Sequence, residues 1–163
     1  MKDNLNELSK QEFYLINELE KTEGSIEEKR QQCLILKIFS SYNEIFLKYS
    51  NLNNIEAFKR AIFIQWIAII EPDIYSGIGS LNKVIEEQNL KKLDELAFNN
   101  LLDEEFKNMV SFYYSISDWY FENFKEIKKV VQQQQMSIKK NNSMFNRGQM
   151  GKYWNSLNKM DLN

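Results

Sequence analysis

Apolar side chains recur at every third or fourth position through most of this sequence, and that spacing admits few folds. The clearest case runs from Leu102 through Phe106, Met109, Tyr113, Ile116, Tyr120, Phe124 and Ile127 to Val131, the repeat of one face of an α-helix. Its mean interval, about 3.6, suits packing in a globular bundle rather than a sustained coiled coil. Only one proline and five glycines interrupt 163 residues, so the frequent turns of a sandwich or barrel are missing. The sequence predicts an all-α protein: an irregular single-domain bundle of five or six helices, with the third and the long helix at its centre and a basic C-terminal arm. The expected domains are a helical bundle over residues 1–133 and a polar linker with the arm or a short helix over 134–163.

Capping signals place the elements. Ser9 and Glu12 have capping-box spacing, predicting a first helix from Ser9 to Thr22, or starting earlier near Asp3, with Phe13, Ile16 and Leu19 inward and Gly24 ending it. Ser25 and Glu28 repeat the signal and predict a helix to Tyr49. Asn54 is a suitable N-cap for a third helix reaching Ile70, where every residue from Ala61 onward except Gln65 is apolar. Pro72 disfavours helix at the residue before it, and Pro72, Asp73, Ser76, Gly77 and Gly79 predict a loop over 71–80. Shorter helices are expected over 81–88 and 90–101, with a break near Asn89. Asp103, Glu104 and Glu105 sit where a helix dipole favours negative charge and predict a long helix to Gln133.

Several chemistries are excluded by composition. The chain has no histidine, which removes the usual proton shuttle and the commonest metal ligand, and with it Cys/His zinc sites, Glu-x-x-His di-iron pairs and histidine-dependent nucleophile systems. A lone cysteine, Cys33, forms no internal disulfide and reads as a buried, inert thiol. The Gly77-x-Gly79 pair lacks the preceding strand and the further glycine of a phosphate-binding loop. No cofactor and no metal are expected. The apolar run from Ile62 to Ile70 falls short of the roughly 18 to 20 residues of a membrane helix. Asp3, Glu7 and Glu12 stand where a secretory leader needs a basic start and an apolar block, so a cytoplasmic, water-soluble protein without membrane attachment is expected.

Charge is distributed unevenly. Residues 1–124 hold 13 basic and 21 acidic side chains, net −8, whereas residues 125–163 hold 8 basic and 2 acidic, net +6. The basic arm offers Lys139, Lys140, Phe145, Arg147, Lys152 and Trp154 to a partner. Docking onto the acidic body of the same chain is its simplest use; an acidic protein comes next, and nucleic acid last, because the charges are too sparse for a phosphate-tracking stripe.

A second candidate lies around the proline turn: Arg60, Trp66, Glu71, Asp73 and Tyr75. Arg60 and Glu71 are eleven apart, three helical turns if the helix persists, and would share one side of it. The plainer alternative pairs Glu56 with Arg60 along the helix and leaves Trp66 in the core. Off the main stripe, Phe112 and Trp119 mark a further apolar line, covered either by another helix or by a partner. The function these features favour is a non-enzymatic helical module that binds another protein or itself. A small ligand-binding protein or enzyme at the Glu71-Pro72 turn is the alternative, and weak nucleic-acid binding through the arm is the third.

Overall fold

The computed structural model describes residues 4–134 and 144–160, with side chains through 157. Among these there are nine α-helices, one 3-10 turn and no strand, so the all-α expectation is met with more and shorter helices than the five or six predicted. Chain contacts divide the fold into two compact units, Met1–Lys83 with Ser143–Asn163, and Val84–Asn142.

The first unit contains α1 (Leu5–Glu20), α2 (Ile26–Ile35), α3 (Ile38–Asn51), α4 (Ile55–Ile70), the single turn α5 (Asp73–Ser76) and α9 (Gly148–Met160). Helix α1 starts earlier than Ser9, because Asn4 Oδ1 accepts the Glu7 amide and serves as N-cap. Ser9 and Glu12 are therefore not a capping box; both lie in the buried interior of the helix. The Ser25–Glu28 box does form, but the helix it opens stops at Ile35. Lys37 adopts a left-handed conformation with φ 55°, which costs about 1 kcal/mol for a residue with a Cβ, and the chain restarts as α3. Periodicity missed this corner because no glycine or proline marks it. Helix α4 has the predicted Asn54 cap, with its side chain accepting the Ala57 amide at 3.0 Å, and it is buried without interruption from Ala57 to Ile67. Pro72 ends it, and the predicted 71–80 loop contains α5, closed by Gly77 at φ 71°.

The second unit holds most of α6 (Lys83–Phe98), then α7 (Glu104–Ile116), the 3-10 turn Asp118–Phe121 and α8 (Lys125–Gln133). The break expected near Asn89 is absent; Asn89 is buried inside one continuous helix, a case of packing overriding a weak helix former. Helix α6 ends in a Schellman motif: Asn100 is left-handed at φ 54°, Leu101 N–H donates to the Leu96 carbonyl and Asn100 N–H to that of Ala97. The long helix expected over 103–133 is broken instead. It begins as predicted on Asp103, which accepts the Phe106 amide at 2.7 Å, but Ser117 leaves helical geometry at φ −144°, ψ 58°. There the Ser117 hydroxyl donates back to the Tyr113 carbonyl and Asp118 Oδ1 accepts the Trp119 amide. These local bonds compete with the backbone ladder.

Helix α8 has no cap of its own. Asp94 of α6 supplies one, its Oδ1 accepting the amides of Glu126 at 2.9 Å and Ile127 at 3.0 Å, where the positive end of the dipole favours a carboxylate. Asp94→Ala is expected to lower stability by about 1 kcal/mol, read as a lower urea midpoint at unchanged slope; an unmoved midpoint would mean that water replaces the cap without loss.

Candidate functional site

Three features of the first unit bear on function: a buried polar network, a cavity and an exposed apolar corner. The network begins where α9 returns to α1. Glu12 is 1% exposed and holds the start of α9: its Oε1 accepts the Gln149 amide at 2.9 Å, and its Oε2 accepts the Tyr49 hydroxyl at 3.0 Å. Gly148 stands directly over this carboxylate at φ 58°, and the Cβ of any other residue would overlap it. Arg60, 4% exposed, donates to Ser9 Oγ at 2.5 Å, to the Tyr49 hydroxyl at 3.2 Å, to the Asn146 carbonyl at 3.3 Å and to Glu56 at 3.0 Å. Glu56 also takes both prongs of the Arg147 guanidinium, one at 2.8 Å, the bidentate geometry that makes such pairs strong. Two carboxylates and two guanidiniums thus tie α1, α3 and α4 to α9.

Burial pushes the Glu12 carboxyl up to about 7, with the Gln149 amide, the Tyr49 hydroxyl and the Arg60 charge pulling the other way. Tyr49 and Tyr42 are pushed up by burial and then by Glu12. A carboxyl near neutrality beside an arginine and a tyrosine would suit acid–base catalysis. Here it faces a backbone amide and a phenol, lines neither cavity described below, and is closed to solvent. Its geometry is that of a fastener for α9.

The cavity, about 340 Å³, lies between α1, α4, α5 and α9. Its walls are apolar along Ile16, Leu19, Phe63, Ile67 and Ile74, with Glu71, Tyr75, Gln149 and Tyr153 among the polar lining. Tyr153 packs at 5.5 Å centroid distance from Phe63 and 5.6 Å from Trp66. Glu71 is half-buried, and burial raises its pKa above the ordinary value. Lys152 is paired with Glu20 on the rim.

The apolar corner is the α2–α3 junction. Leu34, Ile35 and Leu36 are 53, 77 and 43% exposed in succession. Leu36 also lines a groove of about 400 Å³ with Tyr14, Leu15 and Ile45 as its other apolar walls and Lys10, Gln11, Ser41 and Glu44 as its polar ones.

The proline-turn candidates are therefore divided. Glu71 and Tyr75 line the cavity, while Arg60 belongs to the buried network and Asp73 to an ion pair with Arg30 at 2.7 Å. Trp66 is fully buried and does not line the cavity, but its ring meets Phe63 and Tyr153, which do. Of the arm residues, Arg147 and Lys152 are paired with acids, Trp154 is buried and Phe145 is 75% exposed; Lys139 and Lys140 lie outside the described residues. The described part of the arm packs on α1 and α4 of the first unit. Glu12, Tyr49, Gly148 and Gln149 were not anticipated, although Glu12 falls on the stripe Leu8, Leu15, Leu19 at helical spacing, which marks a carboxylate facing inward. The Trp119 side chain, carried by the 3-10 turn, is 58% exposed.

Among the described residues, no group of three or more acidic or cysteine side chains is placed to hold a metal ion, and no helix is long and apolar enough to cross a membrane. No protein-family model matches the chain, and no curated protein or solved structure matches it either.

Proposed function

We propose that this chain is a helical protein-interaction module whose contact surface is the α2–α3 corner and the groove beside it. The observation that carries this reading is the run Leu34–Ile35–Leu36, three consecutive apolar side chains left in water beside an apolar-walled groove. Scattered exposed leucines are ordinary on a protein surface, but a contiguous apolar patch with a polar rim is the usual mark of a partner site. The shape fits an amphipathic segment of another protein, laid with its apolar face along Tyr14, Leu15, Leu36 and Ile45. Lys10 and Glu44 on the rim would orient it. The polar network supports the reading indirectly, because it uses the arm's Arg147 within the chain and so leaves this surface as the stronger attractor.

The test is the double variant Ile35→Asp, Leu36→Asp, compared with wild type in affinity capture and in light-scattering chromatography. Substitutions at exposed positions change stability by about 0.5 kcal/mol or less, so the thermal midpoint should hold. A partner captured by wild type and lost by the variant, or a dimer that becomes monomeric, is the expected outcome. Identical captures and an identical mass would dispose of the surface.

A second reading, a small-ligand-binding protein, is favoured by the cavity: its volume lies at the lower end of the roughly 300–1,000 Å³ usual for ligand sites, and it is apolar with a few converging polar groups.

A further inference from the structure

Two hydrogen-bond acceptors without a donor line the cavity between α1, α4, α5 and α9, and they point to the ligand. Glu71 lines it with a carboxylate that makes no side-chain hydrogen bond or ion pair among the described residues. Gln149 lines it as well; its side-chain amide nitrogen donates to the Ser76 carbonyl at 2.9 Å, which fixes the orientation of the amide, and its Oε1 is buried and receives no hydrogen bond. A buried acceptor without a donor costs as much as a lost hydrogen bond. Gln149 Oε1 is such an acceptor, and with the half-buried Glu71 carboxylate on the same cavity it calls for a molecule that brings N–H groups.

The charges agree. Four charged residues line the cavity, and two of them, Glu20 and Lys152, neutralise each other. The other two, Lys29 and Glu71, are both half-buried. Glu71 is partly stripped of water and gains from a counter-cation, whereas an anion would meet its charge and the lone pairs of Gln149 Oε1. Tyr153 lies within reach of that charge, since burial first and the Glu71 carboxylate second oppose its ionisation. Its ring, tilted against Phe63 and edge-on to Trp66, lines the cavity, and aromatic rings of this kind attract cations.

Resting on the ligand-binding reading above, we propose that this cavity binds a small organic ammonium ion, its N–H groups held by Glu71 and Gln149 Oε1 and its apolar body lying along Ile16, Phe63, Ile67 and Ile74. The site is distinct from the α2–α3 corner and lies on other residues, so the two are separable by mutation.

Calorimetric titration of the full chain with hexylammonium, hexanol and hexanoate tests it. These probes share an apolar body and differ only in the head group. Saturable binding is expected for hexylammonium, about tenfold or more tighter than for hexanol, with hexanoate failing to bind. Glu71→Gln should bring hexylammonium down to the hexanol level, and Glu71→Lys should shift the preference to hexanoate. Equal binding of hexylammonium and hexanol to wild type would overturn the ammonium assignment and leave the ligand-binding reading standing. Saturable binding by none of the three would overturn both. Should either Glu71 variant fail to fold, the wild-type series alone decides.

Discussion

Gly148→Ala should cost about 3 kcal/mol of stability, although it adds a single methyl group. Part of the loss is local: the residue sits at φ 58°, a conformation that costs any side chain about 1 to 2 kcal/mol. The larger part comes from what the methyl meets. The Cβ would overlap the Glu12 carboxylate, which has a hydrogen bond on each oxygen and no open space to move into. Moving it releases the Gln149 amide at the start of α9 and the Tyr49 hydroxyl, and unpaired buried polar groups cost about 1 to 3 kcal/mol each. Urea unfolding measures the sum, and a double-mutant cycle with Glu12→Ala separates its parts. In the Glu12→Ala background only the backbone strain is left, so Gly148→Ala should be milder there by more than about 1 kcal/mol. Strict additivity would show that Gly148 and Glu12 do not constrain each other.

The same pair shows where sequence reasoning succeeds and where it stops. Helical identity, the Asn54 and Asp103 caps, the Ser25–Glu28 box and the Glu56–Arg60 pair are local, each decided by residues within four positions of one another, and each was legible. The Ser9–Glu12 pattern has the same local form, but its groups are captured by partners far along the chain: Arg60 is 51 residues from Ser9, and Gln149 is 137 from Glu12. No local rule weighs a cap that is one helix away against a guanidinium three helices away. The corner at Lys37 was hidden for the converse reason. The apolar stripe continues across it in register, so periodicity reads one helix where the backbone turns. Of the proline-turn candidates, sequence separation alone put Arg60 and Glu71 on one side of a helix, but Glu71 lies past the helix end at ψ 135°, and the two serve different sites.

In both units a carboxylate from an earlier helix accepts amides at the start of a later one, Asp94 for α8 and Glu12 for α9. The two differ in environment, and that difference decides their pH behaviour. Asp94 is partly exposed and keeps some hydration while it accepts two amides. Glu12 is sealed off, and desolvation outweighs the combined help of the Gln149 amide, the Tyr49 hydroxyl and the Arg60 charge. Loss of hydration costs an ion more than a few hydrogen bonds return.

Stability should therefore depend on pH through Glu12, and in the direction opposite to ordinary carboxylates. In the folded chain the group titrates at about 7, against 4.5 when exposed, so between those values the folded state holds a proton that the unfolded chain has released. The stabilisation from this proton is complete below about pH 4.5 and is lost as pH rises through 7. At about 1.36 kcal/mol per pH unit, the swing is about 3 kcal/mol. The groups facing Glu12 do not cancel it: Tyr42 and Tyr49 are held well above this range, and Arg60 keeps its charge throughout. Glu12→Gln copies the protonated shape without titrating. Wild type and variant should have similar urea stability at pH 5, and the variant should lead by about 3 kcal/mol at pH 8. Exposed carboxylates such as Glu28 and Glu87, whose pKa values are lowered, contribute equally to both proteins and drop out of the difference. Amide exchange at Gln149, corrected for intrinsic rate, should quicken in wild type across the same interval and stay level in the variant. A difference in stability that does not change from pH 5 to pH 8 would mean that Glu12 is already ionised in the folded chain, and that the Arg60–Tyr49 side of the network outweighs burial.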